Sequence, residues 1–284
     1  MSSAKGIVIF AQNNPQVDYV KLAIFAARQA QRHLNLPVSL ITDSKGWLER
    51  SHTDHPFDQI IEIEYNPLVQ KRRFNDGALS GKDLEWRNYA RNQAYDLSPY
   101  YRTLVIDSDY IINSTMLAQA FKKDNDLQIY SSSMDLAGWR NTDEFKRINP
   151  YSVKFYWATA FLFEKTPLMQ SFFDIVAYIK LNWNYFRVLY GIDTSLYRND
   201  YAFSIAINIM NGKTNGSFAV ELPGNMIYTK DTDILVSVKD DVLSFLLEKK
   251  DFPGEYIAAK TKGLDIHVMN KFSLGRFIDG GSGV

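Results

Sequence analysis

Two hydrophobic rhythms alternate along the first 130 residues, and their order predicts the architecture. Ile7-Val-Ile-Phe10 is a short unbroken apolar run, suited to a buried strand. After the loop that begins Ala11-Gln12-Asn13-Asn14, Asp18 stands where it can cap a helix. Over Tyr19–Leu34, Val20, Ile24, Ala27 and Leu34 recur at helical spacing. A second strand, Val38–Ile41, ends at Thr42-Asp43. Strand, helix and strand with short connections form a βαβ unit and imply a parallel sheet. Ile60–Ile63 and Leu104–Ile106 read as further strands. Ligands of such sheets sit beyond the C-terminal strand ends. Ala11, Gln12, Asn13, Asp43 and Asp107–Asp109 therefore fall on one rim.

The remaining pattern is less regular. Asn66–Gly81 is polar and basic and reads as a long functional loop. Asp83 can cap a helix over Leu84–Leu97, which Ser98-Pro99 would stop. A helix over Thr115–Phe121 and a strand over Leu127–Tyr130 follow. Ser131–Pro150 is again long and polar, Phe155–Phe163 reads as a strand, and Pro167 opens a helix to about Leu181. Asn199 or Asp200 is placed to cap a helix running to Met210. Ile234–Lys249 is ambiguous, and the Gly-rich tail Gly275–Val284 is expected to be loose. No repeat or Pro/Ser-rich linker divides the chain, so 1–284 is expected to form one domain.

Charge and composition narrow the classes. The chain has 284 residues, and its 32 basic and 32 acidic residues cancel, so no broad basic field points to nucleic acid or an anionic membrane. Without cysteine there are no disulfides and no thiolate metal ligands, which fits a reducing compartment. No apolar leader and no apolar stretch of about 20 residues is seen, so a cytoplasmic protein is expected. Seventeen Tyr and eighteen Phe supply an aromatic core or platforms for sugars.

The chemistry concentrates where Leu104-Val-Ile106 ends in Asp107-Ser108-Asp109. Two carboxylates one residue apart at a strand end can turn both oxygens toward one hard cation such as Mg²⁺ or Mn²⁺. A turn or a cap for the following helix is the plain structural alternative.

Tyr89-Ala-Arg91, then Tyr100-Tyr-Arg-Thr-Leu-Val-Ile-Asp107-Ser-Asp109, resembles the centre of the retaining family 8 glycosyltransferases. That family includes glycogenin and the bacterial lipopolysaccharide galactosyltransferases. Asp18-Tyr19 with its helix and Leu40-Ile-Thr-Asp43 are similar to the family's opening βαβ, and Asp265-Ile-His267-Val-Met-Asn-Lys271 to its C-terminal His segment. The resemblance implies a GT-A-like α/β fold: a mostly parallel, Rossmann-like sheet flanked by helices, with a smaller acceptor-side region. About 1–130 would bind the nucleotide sugar, and about 131–271 would form the acceptor side. It also implies a UDP-sugar donor and Mn²⁺ or Mg²⁺ held by Asp107, Asp109 and His267. Lys271 and Arg91 would reach the diphosphate and donor sugar, and Tyr19 would stack on the base. Asp43, Ser108 and the Ala11–Asn13 loop would complete the donor site. Where the family carries Asp-Gln, this chain has Asp200-Tyr201, which leaves Asp200 as an acceptor-side residue or a general base. Trp157 and Tyr201 would share the acceptor side.

Other functions use similar pieces. Haloacid-dehalogenase-like phosphatases also place Asp-x-Asp after an apolar strand, with the first Asp as nucleophile. In that reading Lys239-Asp240-Asp241 would supply the later acidic motif. A nucleotide-sugar-binding protein without turnover is the third option, supported by the Tyr201 departure. A nucleotidyltransferase is disfavoured because no Gly-rich phosphate loop follows the first strand.

Overall fold

The computed structural model describes residues 4–65, 70–87, 90–140 and 145–280. The chain opens with β1 (Lys5–Phe10), α1 (Tyr19–Leu34), β2 (Val38–Thr42), α2 (Lys45–Ser51) and β3 (Gln59–Glu62). A hairpin of β4 (Gln70–Asn75) and β5 (Gly81–Trp86) precedes a 3-10 turn at Arg91–Gln93 and the short helix α3 (Ala94–Leu97). β6 (Arg102–Asp107) and β7 (Tyr110–Ile111) lead through a 3-10 segment, Met116–Lys122, to β8 (Leu127–Tyr130), β9 (Ser133–Asp135) and β10 (Trp157–Glu164). Helices α4 (Pro167–Leu181), α5 (Trp183–Leu189) and α6 (Asn199–Met210) follow. The chain continues with β11 (Met226–Thr229), the meander β12 (Ile234–Lys239), β13 (Val242–Glu248) and β14 (Tyr256–Lys262), then β15 (Ile266–Val268) and α7 (Lys271–Gly280).

The fold is α/β, as expected. Its central sheet has six strands in the order β3-β2-β1-β6-β10-β8. β1, β2, β3 and β6 pair in parallel, and β10 runs antiparallel to both β6 and β8. Both faces of this sheet are covered, which is why its strands read as unbroken apolar runs. Ile7, Ile9, Leu104 and Ile106 pack toward the alanine-rich face of α1. Val8, Val105, Phe161 and Phe163 pack on the opposite face toward Phe172, Phe173 and Phe203 of α4 and α6. No helix among the described residues is long and apolar enough to cross a membrane.

Asp18 caps α1, accepting from the Lys21 N–H at 3.0 Å. The same carboxylate accepts from Asn13 Nδ2 at 3.0 Å and Trp47 Nε1 at 2.9 Å, with His52 Nε2 also at 3.0 Å. Burial opposes its ionisation, but these donors together hold its carboxyl below the ordinary value of 3.8. Asp18→Ala is expected to lower stability by about 1 kcal/mol, the scale of a lost N-cap. The group's pKa is lower folded than unfolded, so its stabilisation is present above the unfolded value and vanishes as pH falls through the folded one. Denaturant titrations of wild type and variant at pH 7 and pH 3 should therefore show a gap that narrows in acid.

Several local readings are corrected. Gly81–Trp86 is strand rather than helix, with Asp83 opposite Arg73 in the β4–β5 ladder. Among the described residues helix is confined there to the short turns at Arg91–Leu97, although it stops at Ser98-Pro99 as expected. The described part of basic Asn66–Gly81 is β4 with the hairpin turn that follows it; Arg72 and Phe74 of β4 turn inward while Lys71 and Arg73 face water. Gln70–Asn75 holds a single apolar residue, Phe74, so no alternation marks it in the sequence, and pairing with the neighbouring hairpin strand outweighed the cap-and-stop signals around Leu84. Residues 66–69 and Tyr89 lie outside the described residues. Ile234–Lys249 is a hairpin whose two turn residues, Asp240 and Asp241, both have positive φ (51° and 62°), as a tight hairpin turn requires. Gly275–Gly280 belongs to α7 rather than a loose tail, and 281–284 lie outside the described residues.

Candidate active site

The acidic motif sits where the chain changes sheets. β6 ends at Asp107 in the central sheet, and β7 begins at Tyr110 in a second sheet ordered β7-β15-β11-β9. Ser108 and Asp109 make the bend, and both are buried. β7 pairs antiparallel with β15, setting His267 directly opposite Tyr110. The Val268 N–H donates to the Asp109 carbonyl at 2.9 Å, which seals the corner. His267 thereby comes within 3.3 Å of Asp109 Oδ2 and 4.0 Å of Asp107 Oδ2 through its Nε2. One donor atom from each of Asp107, Asp109 and His267 lies within 4.8 Å of the others. Two carboxylates and an imidazole on one point fit a divalent cation of the Mn²⁺ or Mg²⁺ type.

Cations surround these carboxylates. Lys271, the first residue of α7, puts its Nζ 2.6 Å from Asp109 Oδ2. α7 is set in place by Asn270, whose side chain accepts from the Ser273 N–H and donates to the Asp233 carbonyl. Asp233 and Asp135 in turn grip Arg140 from both sides. Burial works against an ionised Asp109, yet the charges of Lys271 and His267 hold its carboxyl far below the usual range. Arg91 is buried in the turn before α3, paired with Asp107 and donating to the Ala158 carbonyl. Burial pulls its guanidinium down to about 10, with Asp200 and Asp109 pulling the other way, so it stays charged at neutral pH.

The cleft that opens over this corner holds residues the sequence reading passed over. Arg72 enters from β4, its guanidinium 5.4 Å from the ring centres of both Phe74 and Trp86. Arg198 enters from the start of α6, 5.2 Å over Tyr201. Burial and the charge of Arg198 both lower the pKa of Arg72. Like charges share a desolvated space, which a bound anion would relieve. With Arg87, Arg91 and Lys271, five cations line the cleft against the carboxylates of Asp107, Asp109, Asp200 and Asp231. The only sequence signal for Arg72 was the basic character of Asn66–Gly81. Arg198 stood beside the Asp200-Tyr201 motif but carried no pattern of its own.

Other sequence-predicted residues are placed unequally. Gln12, Tyr19 and Ser108 line the cleft. The Tyr19 hydroxyl is buried with no hydrogen-bond partner among the described residues, and burial together with Asp109 raises its pKa. Ala11, Asn13 and Asp43 are not on the cleft wall. Ala11 donates from its backbone to Ile41, and Asn13 ties Asp18 to the Val20 N–H. Asp43 accepts from Gln12 Nε2 at 3.3 Å and from the Ser44 hydroxyl at 2.8 Å, so it orients a cleft residue from behind. Asp200 lies in the first turn of α6 and is not its cap. It accepts from the Ala158 N–H at 3.0 Å and from Arg198 at 2.8 Å, and it faces the cleft with Trp157. Tyr201 packs behind them, its ring stacked on Trp183 at 6.2 Å.

Asp240 and Asp241, the pair required by the phosphatase alternative, are not on the cleft wall. Asp241 pairs with Arg32 at 3.0 Å.

No protein-family model and no curated protein matches the chain. Among solved structures, the glycosyltransferase GlyE of Streptococcus pneumoniae TIGR4 is similar at 13% identity and a TM-score of 0.45, over 78% of this chain and 45% of that one. The galactosyltransferase LgtC, in complex with donor and acceptor sugar analogs, is similar at 15% identity and a TM-score of 0.46, over 76% and 72%. The inositol-1-phosphate CTP transferase of T. maritima is similar at 8% identity and a TM-score of 0.43, over 78% and 86%. The chain thus spans less than half the length of GlyE.

Proposed function

We propose that this protein is a metal-dependent glycosyltransferase that moves a sugar from a UDP-sugar to an acceptor. The observation that carries the reading is the meeting of Asp107, Asp109 and His267 beneath a cleft rich in cations. A UDP-sugar carries about two negative charges at neutral pH, and the released nucleoside diphosphate gains a further terminal-phosphate ionisation near pH 6; this cleft is charged to receive both. Asp107, Asp109 and His267 would hold Mn²⁺ or Mg²⁺, which would act as a Lewis acid toward the departing diphosphate.

The chain's own residues do the rest. Lys271 and Arg91 stand on opposite sides of the carboxylate pair and can turn to phosphate oxygens once the cation takes over the carboxylates. Arg72 and Arg198 add positive charge where the leaving group gains negative charge, and stabilisation gained only in the transition state speeds the step. Tyr19 and Gln12 form the wall for the nucleoside, with Asp43 orienting Gln12 and with Ala11, Asn13 and Ser108 shaping the rim. In the transfer, the bond from the anomeric carbon to the diphosphate breaks and the acceptor oxygen bonds to that carbon. The acceptor proton leaves with the nucleoside diphosphate. Asp200 has both oxygens already accepting, from Ala158 and Arg198, so it suits orienting a sugar better than taking a proton. This favours a retaining course over an inverting one with Asp200 as base.

Calorimetry with UDP, with and without EDTA, tests the reading. Binding is expected with Mn²⁺ or Mg²⁺ and is expected to be lost with the chelator. Equal affinity in both would remove the metal-bridged site. A screen of nucleotide sugars for slow release of nucleoside diphosphate would then identify the donor.

A further inference from the structure

A second concavity lies on the other side of the wall formed by β10 and α6. Trp157, the first residue of β10, faces the cleft, while Tyr156 just before it faces this basin. Ser204 joins the two: its hydroxyl accepts from the Tyr156 N–H at 2.8 Å and donates to the Asp200 carbonyl at 2.6 Å. Asp200 and Ser204 are one turn apart on α6, about 6 Å along its axis.

The charge on this wall is one-sided. In a chain whose charges cancel, four of the sixteen residues lining the basin are cationic, namely Lys146, Arg147, Lys154 and Lys213, and no described lining residue is acidic. Glu221, which lies near Tyr156, is already taken up by the N–H groups of Ser131 and Ser132. Asn208 and Asn211, a turn apart on α6, add amides to the wall. A compact loop builds the rim. Arg147 and Lys154 bridge across its base, Ile148 N–H donates to the Val153 carbonyl, and Asn149 accepts from the Tyr151 N–H at 2.9 Å. Asn149 also donates to the Tyr190 carbonyl at 2.7 Å, which docks the loop on the end of α5. This loop holds Tyr151 almost wholly in water, at 99% exposure. A ring so placed can lie flat against a sugar.

We propose that this basin is a second saccharide site that takes an acidic glycan. The glycan's carboxylate or phosphate groups would pair with Arg147, Lys154 and Lys213, its hydroxyls would meet the amides, and one sugar ring would lie on Tyr151. Aromatic faces with amides suit sugars, and cations with no carboxylate among the described lining residues select acidic ones. Identifying that glycan as the acceptor rests on the transferase reading; its binding to the basin does not. An anionic bilayer is the rival partner, since Tyr185, Val188 and Leu189 are exposed on neighbouring α5. The amide-lined hollow favours a chain that enters over a flat surface.

Calorimetry on the full chain with trigalacturonate, phosphorylated maltotriose and neutral maltotriose tests this. At least one acidic probe should bind ten-fold or more tightly than maltotriose, and the two arms tell carboxylate from phosphate recognition. Lys154→Glu with Lys213→Glu should weaken that binding ten-fold or more, and Tyr151→Ala several-fold. UDP binding and the melting temperature, measured on the same samples, should be unchanged, and the melting temperature serves as the folding control. The proposal is overturned by acidic probes that bind no better than maltotriose. Full affinity in the charge-reversed chain, or capture by phosphatidylglycerol vesicles with no saccharide binding, would also overturn it. Loss of UDP binding in the wild type would instead count against the transferase reading and leave the basin test readable.

Discussion

Asp109→Ala is expected to slow the release of nucleoside diphosphate from a donor sugar by roughly 10²-fold or more, the scale of a lost charge-stabilising group at a reacting centre. Metal-dependent UDP binding should fall with it. Asp109 is the hub of the corner: its side chain is 4% exposed, meets Lys271 at 2.6 Å and His267 at 3.3 Å, and belongs to the three-donor cluster. Removing it takes away one of the two carboxylates and leaves a lysine and a histidine facing each other. Asp109→Asn keeps the shape and removes the charge, so it should lose nearly as much activity with less loss of stability. Steady-state release assays across a Mn²⁺ titration provide the measurement. A wild-type rate in Asp109→Ala at saturating metal would refute the assignment of this corner as the reacting centre.

Arg91→Ala is expected to fail in two ways. Turnover should drop by roughly 10²-fold, and the fold should lose about 3–5 kcal/mol, the usual cost of removing one partner from a buried ion pair. The resemblance gives Arg91 a place at the diphosphate and donor sugar and assigns it no part in holding the fold. The structure places it at 4% exposure, paired with Asp107 and bound to the Ala158 carbonyl. Arg91→Lys should recover part of the stability, because a charge remains opposite Asp107. It should recover little activity, since an ammonium cannot reproduce the two-sided hold of a guanidinium. Lys271→Ala, at the other side of the carboxylates, should match Arg91→Ala in turnover. Melting curves beside kinetics separate the cases, and unchanged rates in both variants would remove these cations from the chemistry.

What was legible in the sequence was what local rhythm can carry. The unbroken apolar runs at Ile7–Phe10, Val38–Ile41 and Leu104–Ile106 announce strands covered on both faces, and the spacing of Val20, Ile24 and Ala27 announces the helix between the first two. Asp107-Ser108-Asp109 is visible as chemistry because carboxylates break an apolar strand at its end. His267 and Lys271 were reached only through resemblance to a family pattern. Nothing in the residues around them shows that β15 would pair with β7, and Lys271 meets Asp109 across 162 positions of chain.

The tertiary structure alone decided the rest. It turned Asp83 from a cap into a strand residue, because the ladder between β4 and β5 satisfies the backbone of both segments while the cap signal concerned only one. It carried Arg72 and Arg198 from distant segments into one cleft, where a charge acquires its meaning from what else is buried beside it. Periodicity records which face of an element is buried. It does not record which other element arrives there, because that depends on register and packing between segments far apart in the chain.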